Sequence, residues 1–423
     1  MPEVLGAPRV ITGSQTVADG AVVVGGRQLE WAGPAATLPD QYATWPRTDY
    51  PGATIVPGLI DSHVHLGFDG GPDPAARMRA ETDEQQLVLM LRSARDLLGV
   101  GVTTARDLGG RSFLAVVVRE AIAAGEARGP RLVVAGPAVT VTGGHCWFMG
   151  GEADSEDDLR RMVRTHHKHG TDLIKVMATG GFMTPGSAPW YAQFTAGQLA
   201  VIVEEARRVD MRVAAHAHGI EGIARAVEAG VTTIEHCFFV TETNERHFSE
   251  PLAARIADRG IFVCPTINVN APYVLELTGI APGEYVRQMH EIGVRIIAGT
   301  DAGIDNTPHH QYVAGLEYLV TLGFTPAQVL AMATTEAAAA LGVDEITGRL
   351  SPGYEADLIV VDGDPEADIA ALGRLRRVIT RGRDYVPDSG RFDVSAPGTP
   401  LADPAYRVDL PLLLQHASPR KPR

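Results

Sequence analysis

The sequence is organised around residues 55–66, where an apolar run interrupted by Pro57 and Gly58 leads to His63 and His65. Residues two apart on an extended strand face the same side, so both imidazoles can reach one metal ion. An isolated His-x-His pair is as typical of structural histidines in the core or at the surface as it is of a metal site. The interpretation of this pair therefore depends on the residues that follow it along the chain.

Apolar strand candidates recur after this stretch, at residues 55–60, 102–105, 132–138, 173–178, 213–215, 232–234, 261–265 and 294–298. Helical patterns lie between them, with start signals at Ser155 with Asp158, Thr195 with Gln198, and Thr325 with Pro326 and Gln328. Eight strands that alternate with helices over about 250 residues predict an α/β fold, a (β/α)8 TIM barrel. The active site of such a barrel lies where its strands end.

The two ends of the chain carry a different pattern. Residues 8–56 contain short alternating segments broken by paired turn residues, and residues 348–361 and 377–380 return to strand-like sequence. We predict a small β-sandwich domain from residues 1–56 and 348–423, and a barrel domain from residues 57–347. Residues from about 388 onward have no clear period and are expected to form a surface tail.

Charge and cysteine content exclude several partners. The chain has 37 basic and 51 acidic residues, and this net charge of −14 disfavours binding to nucleic acid or anionic membranes. Its 3 cysteines have no Cys-x-x-Cys spacing, which argues against a disulfide framework. The sequence also lacks a signal-peptide pattern and a run of about 20 apolar residues. We expect a cytoplasmic protein with neither a nucleic-acid nor a membrane partner.

Lys175 follows the apolar residues Leu173 and Ile174 at the start of the fourth strand candidate. A charged lysine inside a barrel strand is costly unless it is paired. One interpretation is a buried lysine with a carboxylate partner. The other is a lysine of lowered pKa that reacts with carbon dioxide and becomes a carbamate, which bridges two metal ions.

Three more candidate ligands lie at later strand ends: His216, His236 and Asp301. Neutral imidazoles suit zinc or a similar ion, and a carboxylate there can bind a metal and accept a hydrogen bond from its water. His218 shares the face of His216. Each residue alone is a weak signal, but the ordered set on successive strands indicates a metal centre.

The chain resembles the amidohydrolase superfamily. The motifs that carry the resemblance are Pro-Gly-Leu-Ile-Asp-Ser-His-Val-His at 57–65, Gly-Val-Thr-Thr-Ala-Arg-Asp-Leu-Gly-Gly at 101–110, Leu-Ile-Lys at 173–175, Ala-His-Ala-His-Gly at 215–219, Ile-Glu-His at 234–236 and Ala-Gly-Thr-Asp-Ala-Gly at 298–303. Within the superfamily it is most similar to the carboxypeptidase and Xaa-Pro dipeptidase branch, which also contains an ochratoxin-degrading amidase. The resemblance covers nearly the whole chain, including the flanking segments.

The resemblance implies a centre of two divalent metal ions, most simply zinc. It implies that His63 and His65 hold one ion with Asp301, that His216 and His236 hold the other, and that the carbamate of Lys175 bridges them together with a hydroxide. Paired cations acidify such a water near neutral pH. Asp301 is then the general acid and base, which takes a proton from the water and gives it to the leaving amine.

Substrate contacts are expected from loops beyond the strand ends. The resemblance gives His145 and His218 catalytic or substrate-binding roles, with loop packing and orientation of a metal ligand as the alternatives. Trp147, Phe182 and Trp190 are candidates for an apolar substrate pocket near the mouth, together with neighbouring aromatic and Met residues. The same side chains are also typical of closed loops or subunit contacts. Relatives carry tyrosine at the position of Phe194, and the run His166-His167-Lys168-His169 is interpreted as a solvated surface.

We therefore predict a hydrolase of amide or peptide C–N bonds that acts on N-acyl amino acids or dipeptides with a free C-terminal carboxylate, and we expect a homo-oligomer. One alternative is an amidase, or a urea or carbamate hydrolase, that acts on neutral aromatic or xenobiotic amides. A second is a mononuclear deaminase or an imidazolonepropionase-like ring hydrolase, although such relatives typically lack the strand-four lysine and often carry glutamate where Gly219 stands. A non-catalytic scaffold is disfavoured because all six candidate ligands are present.

Overall fold

A computed structural model describes residues 2–279 and 281–386 of the chain, so the predicted tail from about residue 388 lies outside the described residues. The chain begins with a run of strands: β1 Glu3–Ile11, β2 Thr16–Gly25, β3 Gln28–Pro34, β4 Arg47–Asp49 and β5 Ala53–Pro57. β1 pairs antiparallel with β2 and parallel with β4 and β5. The predicted hairpin pattern of this region is confirmed by the antiparallel pairing of β1, β2 and β3.

The barrel strands follow: β6 Leu59–Val64, β7 Val102–Asp107, β8 Arg131–Val134, β9 Leu173–Met177, β10 Arg212–Gly219, β11 Thr233–Val240, β12 Phe262–Cys264 and β13 Arg295–Ile296. They form two parallel sheets, β6 to β8 and β9 to β13. Most of their residues are buried on both faces, as expected for strands that helices cover.

Backbone hydrogen bonds join these two sheets at both edges. Val139 N donates to the Lys175 carbonyl at 2.8 Å, beside the end of β8. On the other side, Asp301 N donates to the His63 carbonyl at 2.8 Å, and His65 N donates to the Ala302 carbonyl at 2.8 Å. The strands therefore close into the predicted TIM barrel.

The helices are α1 Pro74–Ala80, α2 Asp83–Gly99, α3 Leu114–Ala124, α4 Glu156–Lys168, α5 Ala196–Arg207, α6 Ile220–Ala229, α7 Glu250–Asp258, α8 Ala271–Thr278, α9 Val286–Ile292, α10 Tyr312–Thr321, α11 Pro326–Met332 and α12 Thr335–Leu341. The three predicted helix starts are confirmed. Ser155, Thr195 and Thr325 each cap a helix and form a reciprocal capping box with the third helical residue. These caps fix where each helix leaves the barrel rim.

The last strands, β14 Leu358–Asp362, β15 Leu375–Thr380 and β16 Arg383–Tyr385, return to the first sheet. β14 pairs antiparallel with β5, so both ends of the chain share the order β16-β15-β14-β5-β1-β2-β3. Apolar clusters pack on this sheet, one around Leu5 and Val22 and another around Val4 and Tyr42. The architecture is a TIM barrel with a β-sandwich made from the two ends of the chain.

The predicted single strand at residues 55–60 is wrong in one respect, because it consists of two strands that meet at Gly58. β5 belongs to the outer sheet, whereas β6 is the first barrel strand. A Cβ at Gly58 would lie only 2.0 Å from Thr103 Oγ1, so the close approach to β7 requires glycine here. This turn passes the chain from one sheet into the other and directs His63 towards the barrel mouth.

Candidate metal centre and active site

The six sequence-predicted ligands meet at the carboxyl ends of the barrel strands, and all of them are buried. They are His63 at the end of β6 and His65 just after it, Lys175 on β9, His216 on β10, His236 on β11, and Asp301 after β13. Three overlapping groups of described residues have ligand atoms within 4.8 Å of one another: His63 with His236 and Asp301, His216 with His218 and His236, and His63 with Glu235 and Cys264. The strand ends thus bring imidazoles and a carboxylate to one place.

Hydrogen bonds define the tautomers of His63 and His65. His63 Nδ1 lies 2.9 Å from Glu235 Oε2, and His65 Nδ1 lies 3.0 Å from the Gly109 carbonyl. Both partners accept, so each Nδ1 carries the proton and each Nε2 of a neutral ring presents a lone pair. Both Nε2 atoms lie 3.2 Å from Asp301 Oδ1. Three acceptor atoms therefore converge, an arrangement that a cation stabilises.

Asp301 Oδ1 is buried and has no hydrogen-bond donor of good geometry among the described residues. Although burial alone would lower the pKa of His65, the Asp301 carboxylate raises it. A proton on His65 Nε2 then takes the position that a metal would occupy. Protons and a metal ion compete for the same ligand atoms, as at other metal sites.

In His236 and His216, too, a hydrogen bond fixes the proton on one ring nitrogen and leaves the other nitrogen free. His236 Nδ1 lies 2.9 Å from Thr266 Oγ1, whose own proton is donated to the Pro265 carbonyl at 2.8 Å. His236 Nδ1 therefore donates, which leaves Nε2 free. His216 Nε2 lies 3.0 Å from the Gly180 carbonyl and carries the proton, which leaves Nδ1 free. Burial lowers the pKa of both rings well below its usual value, so both are neutral imidazoles suited to bind a metal.

Lys175 is fully buried in β9 at the barrel interior, with a side chain among the largest that solvent does not reach. Burial lowers the pKa of its amine, while the carboxylates of Glu235 and Asp301 act in the opposite direction. The lysine lines the same cavity as the four histidine ligands and Asp301.

A buried ion pair, which sequence reasoning missed, supports the first histidine. Arg106, only 2% exposed, donates to the Ser62 carbonyl at 2.6 Å, to Thr233 Oγ1 at 3.0 Å and to Glu235 Oε1 at 2.9 Å. Burial alone would raise the pKa of Glu235, but the Arg106 guanidinium outweighs it and holds that pKa at about 2. Glu235 thus stays ionised while it orients His63. The signal was present, since charged residues inside two apolar strands need partners.

His145 and His218 both lie in the cavity. The His145 ring is centred 4.7 Å from the His216 ring, and the His218 ring is centred 4.4 Å from the His236 ring. Burial lowers the pKa of His145 to about 3 and lowers that of His218 well below its usual value. Both rings are therefore neutral at physiological pH, and a proton on either one is available for a hydrogen bond to substrate.

The cavity above these residues has a volume of about 230 Å³. Phe182 lies in its wall, with its ring 5.1 Å from that of His218. Sequence reasoning missed other lining residues, notably Phe238, Arg246, Asn270 and Asp305. The wall thus combines apolar side chains with a few polar and charged groups, as in other small-molecule sites.

Two of the predicted pocket residues lie elsewhere. Trp147 and Trp190 are not among the residues that line the cavity, and Trp147 is 43% exposed. Period-two and helical patterns do not fix side-chain directions in the loops that carry them, which is why the sequence did not separate these residues from Phe182. An exposed Trp147 fits the alternative of a surface or subunit contact.

A smaller interpretation needs correction. His166 is buried rather than solvated, with its two ring nitrogens 2.8 Å from the Met162 carbonyl and 2.7 Å from the Pro137 carbonyl. It shares the inner face of α4 with Leu159 and Val163, a spacing that the sequence already contained. Phe194, which ends the loop that carries Phe182 and Trp190, is buried in the main core and does not line the cavity.

The family comparison agrees with this geometry. A model described as "Amidohydrolase family" matches residues 54–383, well over half of the chain, so the chain belongs to the amidohydrolase family. It is an enzyme that hydrolyses C–N bonds. The family generally binds divalent metals, and the converging histidines and Asp301 suit such ions. Among the described residues, no helix has the length and apolar character needed to cross a bilayer.

The chain is also similar to individual proteins of known activity or structure. The chain is 29% identical to an ochratoxinase from Aspergillus niger over 393 residues, which is 85% of this chain and 80% of that protein. It is 26% identical to an imidazolonepropionase from a Ruegeria species over 390 residues, covering 84% of this chain and 89% of the relative. A crystal structure of a Xaa-Pro dipeptidase with bound methionine in its active site superposes with a TM-score of 0.81 at 28% identity, covering 91% of this chain and 100% of the other.

The Arg106–Glu235–His63 chain leads to a prediction about metal retention. Glu235→Gln keeps an acceptor for His63 Nδ1 but removes the negative charge, so we expect metal affinity to fall by about 10–100-fold. The measurement is metal content per chain after equilibration with a graded series of chelator concentrations. Glu204→Gln, on the exposed face of α5, is the matched control. Wild-type metal retention in Glu235→Gln would contradict the supporting role.

Proposed function

We propose that the protein is a binuclear metallohydrolase that cleaves the amide or peptide bond of N-acyl amino acids or dipeptides with a free C-terminal carboxylate. The observation that carries the proposal is the convergence of unprotonated ring nitrogens on Asp301 above a buried lysine. His63, His65 and Asp301 would hold one ion, and His216 and His236 the other. A nitrogen-rich set of this kind favours zinc.

Lys175 is the proposed bridge between the two ions. Its burial favours the neutral amine, which is the form that reacts with carbon dioxide. The resulting carbamate adds a negative charge to a site where several groups face the same cavity with free acceptor atoms. With His63, His65, His216, His236 and Asp301, the carbamate of Lys175 would hold the ions through oxygen as well as nitrogen.

Two cations in this site would supply an activated water as the nucleophile. Asp301 is the proposed proton carrier, because its Oδ1 faces the cavity without a protein donor. It accepts a proton from the attacking water and delivers it to the nitrogen of the leaving amino acid. His145 and His218, both neutral, are placed to donate a hydrogen bond to the scissile carbonyl oxygen as negative charge develops there.

Arg246 is the proposed anchor for the substrate carboxylate. Neutral His145 and His218 provide no net charge, whereas Arg246 is, besides Lys175, the one lysine or arginine among the described residues that line the cavity. Its Nη1 donates to the Ala281 carbonyl at 3.3 Å and lies 3.8 Å from Glu284 Oε1, and its guanidinium lies 4.9 Å from the centre of the Phe238 ring. No hydrogen bond from Nε or Nη2 to another described residue is present, so a fork of donors remains for a carboxylate.

Removal of the proposed bridge has a specific expected result. Lys175→Ala should lose most bound metal and most activity, because each ion loses an anionic ligand. Short carboxylic acids such as acetate should partly restore both, since they stand in for the carbamate. The measurements are metal content and turnover with and without the acid, with the exposed Lys168→Ala as control. Two retained metals with near-normal turnover in Lys175→Ala would reject the bridging role.

Asp301 is tested by a change that keeps its shape. Asp301→Asn removes the proton acceptor, so turnover should fall by at least about 10²–10⁴-fold, the general scale of acid–base contributions. Single-turnover kinetics with metal-loaded protein provide the measurement, and Asp258→Asn on the exposed end of α7 is the control. A variant within tenfold of wild type would remove Asp301 from proton transfer.

The carboxylate requirement is tested with a matched pair of substrates, one acid and its C-terminal amide. Charge-assisted hydrogen bonds to Arg246 are each worth about 1.5–3 kcal/mol, so the acid should be cleaved at least about tenfold better by kcat/KM. In Arg246→Gln the ratio of kcat/KM for the acid to kcat/KM for the amide should approach one. Arg255→Gln, on the exposed face of α7, should keep the wild-type ratio.

Equal rates on acid and amide in the wild type would favour the alternative amidase, which acts on neutral aromatic or xenobiotic amides and for which the aromatic walls Phe182 and Phe238 offer a surface. One bound metal per chain instead of two would favour the mononuclear ring hydrolase. The homo-oligomer remains a prediction of the same proposal.

A further inference from the structure

Asp305 is a charged group in the cavity wall that the proposed chemistry does not use. It lies after β13, in a turn closed by a hydrogen bond from Gly303 N to the Thr307 carbonyl at 2.7 Å. Asn306 N also donates to the Gly71 carbonyl at 2.9 Å, which ties the turn to the segment after β6. The carboxylate of Asp305 is thus carried on a well-fixed piece of backbone beside the metal centre.

No cationic side chain pairs with Asp305 in the part of the chain that the structure describes. Its charged neighbours are acids, namely Asp73, Asp301 and Asp69. Burial, followed by repulsion from these carboxylates, raises the pKa of Asp305 to about 7. A largely buried carboxylate without a counter-ion is stabilised when a cationic ligand binds next to it.

Asn270, at the start of α8, adds a second acceptor to the same wall. The residue is 5% exposed, and its Nδ2 donates to the Asn306 carbonyl at 3.0 Å and to Thr307 Oγ1 at 3.0 Å. A backbone carbonyl only accepts, so these bonds fix the orientation of the amide. Asn270 Oδ1 is left buried without a partner in the described structure, although the residue lines the cavity. A buried acceptor of this kind calls for a donor from a ligand.

We infer that Asp305 and Asn270 together bind a primary ammonium group of the substrate, namely the free amino terminus of a dipeptide. Thr307 connects the two residues, because its hydroxyl accepts from Asn270 and donates to the Asp305 carbonyl at 3.1 Å. An ammonium has three donors and a positive charge, which match one amide oxygen and one carboxylate. The inference rests on the proposed function and narrows it from N-acyl amino acids and dipeptides to dipeptides.

Charge then orients the substrate between two walls. Arg246 follows β11 and offers donors to the carboxylate, whereas Asp305 follows β13 and offers an acceptor to the ammonium. A zwitterionic dipeptide matches both walls, whereas an N-acyl amino acid matches only the first. The scissile bond of such a dipeptide lies between its two charged ends, and both walls line the same cavity as the proposed metal ligands.

The experiment compares a dipeptide with its N-acetyl analogue, both with a free carboxylate, on zinc-loaded protein. In the wild type we expect kcat/KM for the dipeptide to exceed that for the analogue by tenfold or more. In Asp305→Asn this ratio should fall towards one. The ratio does not depend on the fraction of active protein, because both substrates are assayed on the same sample, so partial misfolding does not imitate the effect. Asp157→Asn is the matched control, since Asp157 is an exposed acid on α4 that does not line the cavity.

The outcomes separate this inference from the proposed function. Cleavage of neither substrate by the wild type would overturn the proposed function and the inference with it. Cleavage of both at equal rates, or a ratio in Asp305→Asn that equals the wild-type ratio, would overturn the inference alone. The metal content of Asp305→Asn should equal that of wild type. Loss of one metal equivalent would instead identify Asp305 as a metal ligand and reject the ammonium site.

Discussion

The site depends on one electrostatic conflict, the approach of two imidazole lone pairs to a carboxylate oxygen that has no donor of its own. Hydrogen bonds on the far side of each ring create this conflict, because Glu235 and the Gly109 carbonyl hold the protons on Nδ1 of His63 and His65. Without a cation the three atoms repel one another, and a proton at His65 relieves the repulsion only partly. The barrel keeps them together because they sit on β6 and beyond β13, whose backbones are hydrogen-bonded.

The backbone conformation of two proposed metal ligands indicates that the surrounding structure holds them in place. His236 and Asp301 both adopt left-handed backbone, with φ of 71° and 61°, although neither is glycine. Such residues cost on the order of 1–3 kcal/mol each and persist only where the surroundings define them. Asp301 is held by its N–H bond to the His63 carbonyl, and His236 by Thr266. The strain thus falls on two of the proposed metal ligands, where it aims a side chain into the mouth of the barrel.

Sequence reasoning predicted the barrel and the six candidate ligands because both follow from strand periodicity and from the rule that barrel sites lie at strand ends. It did not find Arg246, Asn270 or Asp305, since these lie in segments after the strands where no period fixes the side-chain direction. Trp147 and Trp190 were assigned to the pocket for the same reason, by loop position alone. The sequence analysis also assigned no role to Glu235, although a charge in an apolar strand requires a partner such as Arg106.

The distribution of charge in the cavity follows from what burial allows. Neutral histidines are tolerated deep in the site, and His145 with a pKa of about 3 stays neutral beside Lys175. The most deeply buried charges, Asp301 and the Arg106–Glu235 pair, each face an imidazole or an opposite charge, whereas Arg246 and Asp305 lie in the cavity wall. In the proposed function, the residues that read the substrate's charges, Arg246 and Asp305, lie on loops, whereas most of the proposed metal ligands lie on strands. On that proposal, a change in the loops after β11 and β13 would alter substrate preference while the strands that carry the proposed metal ligands keep their positions.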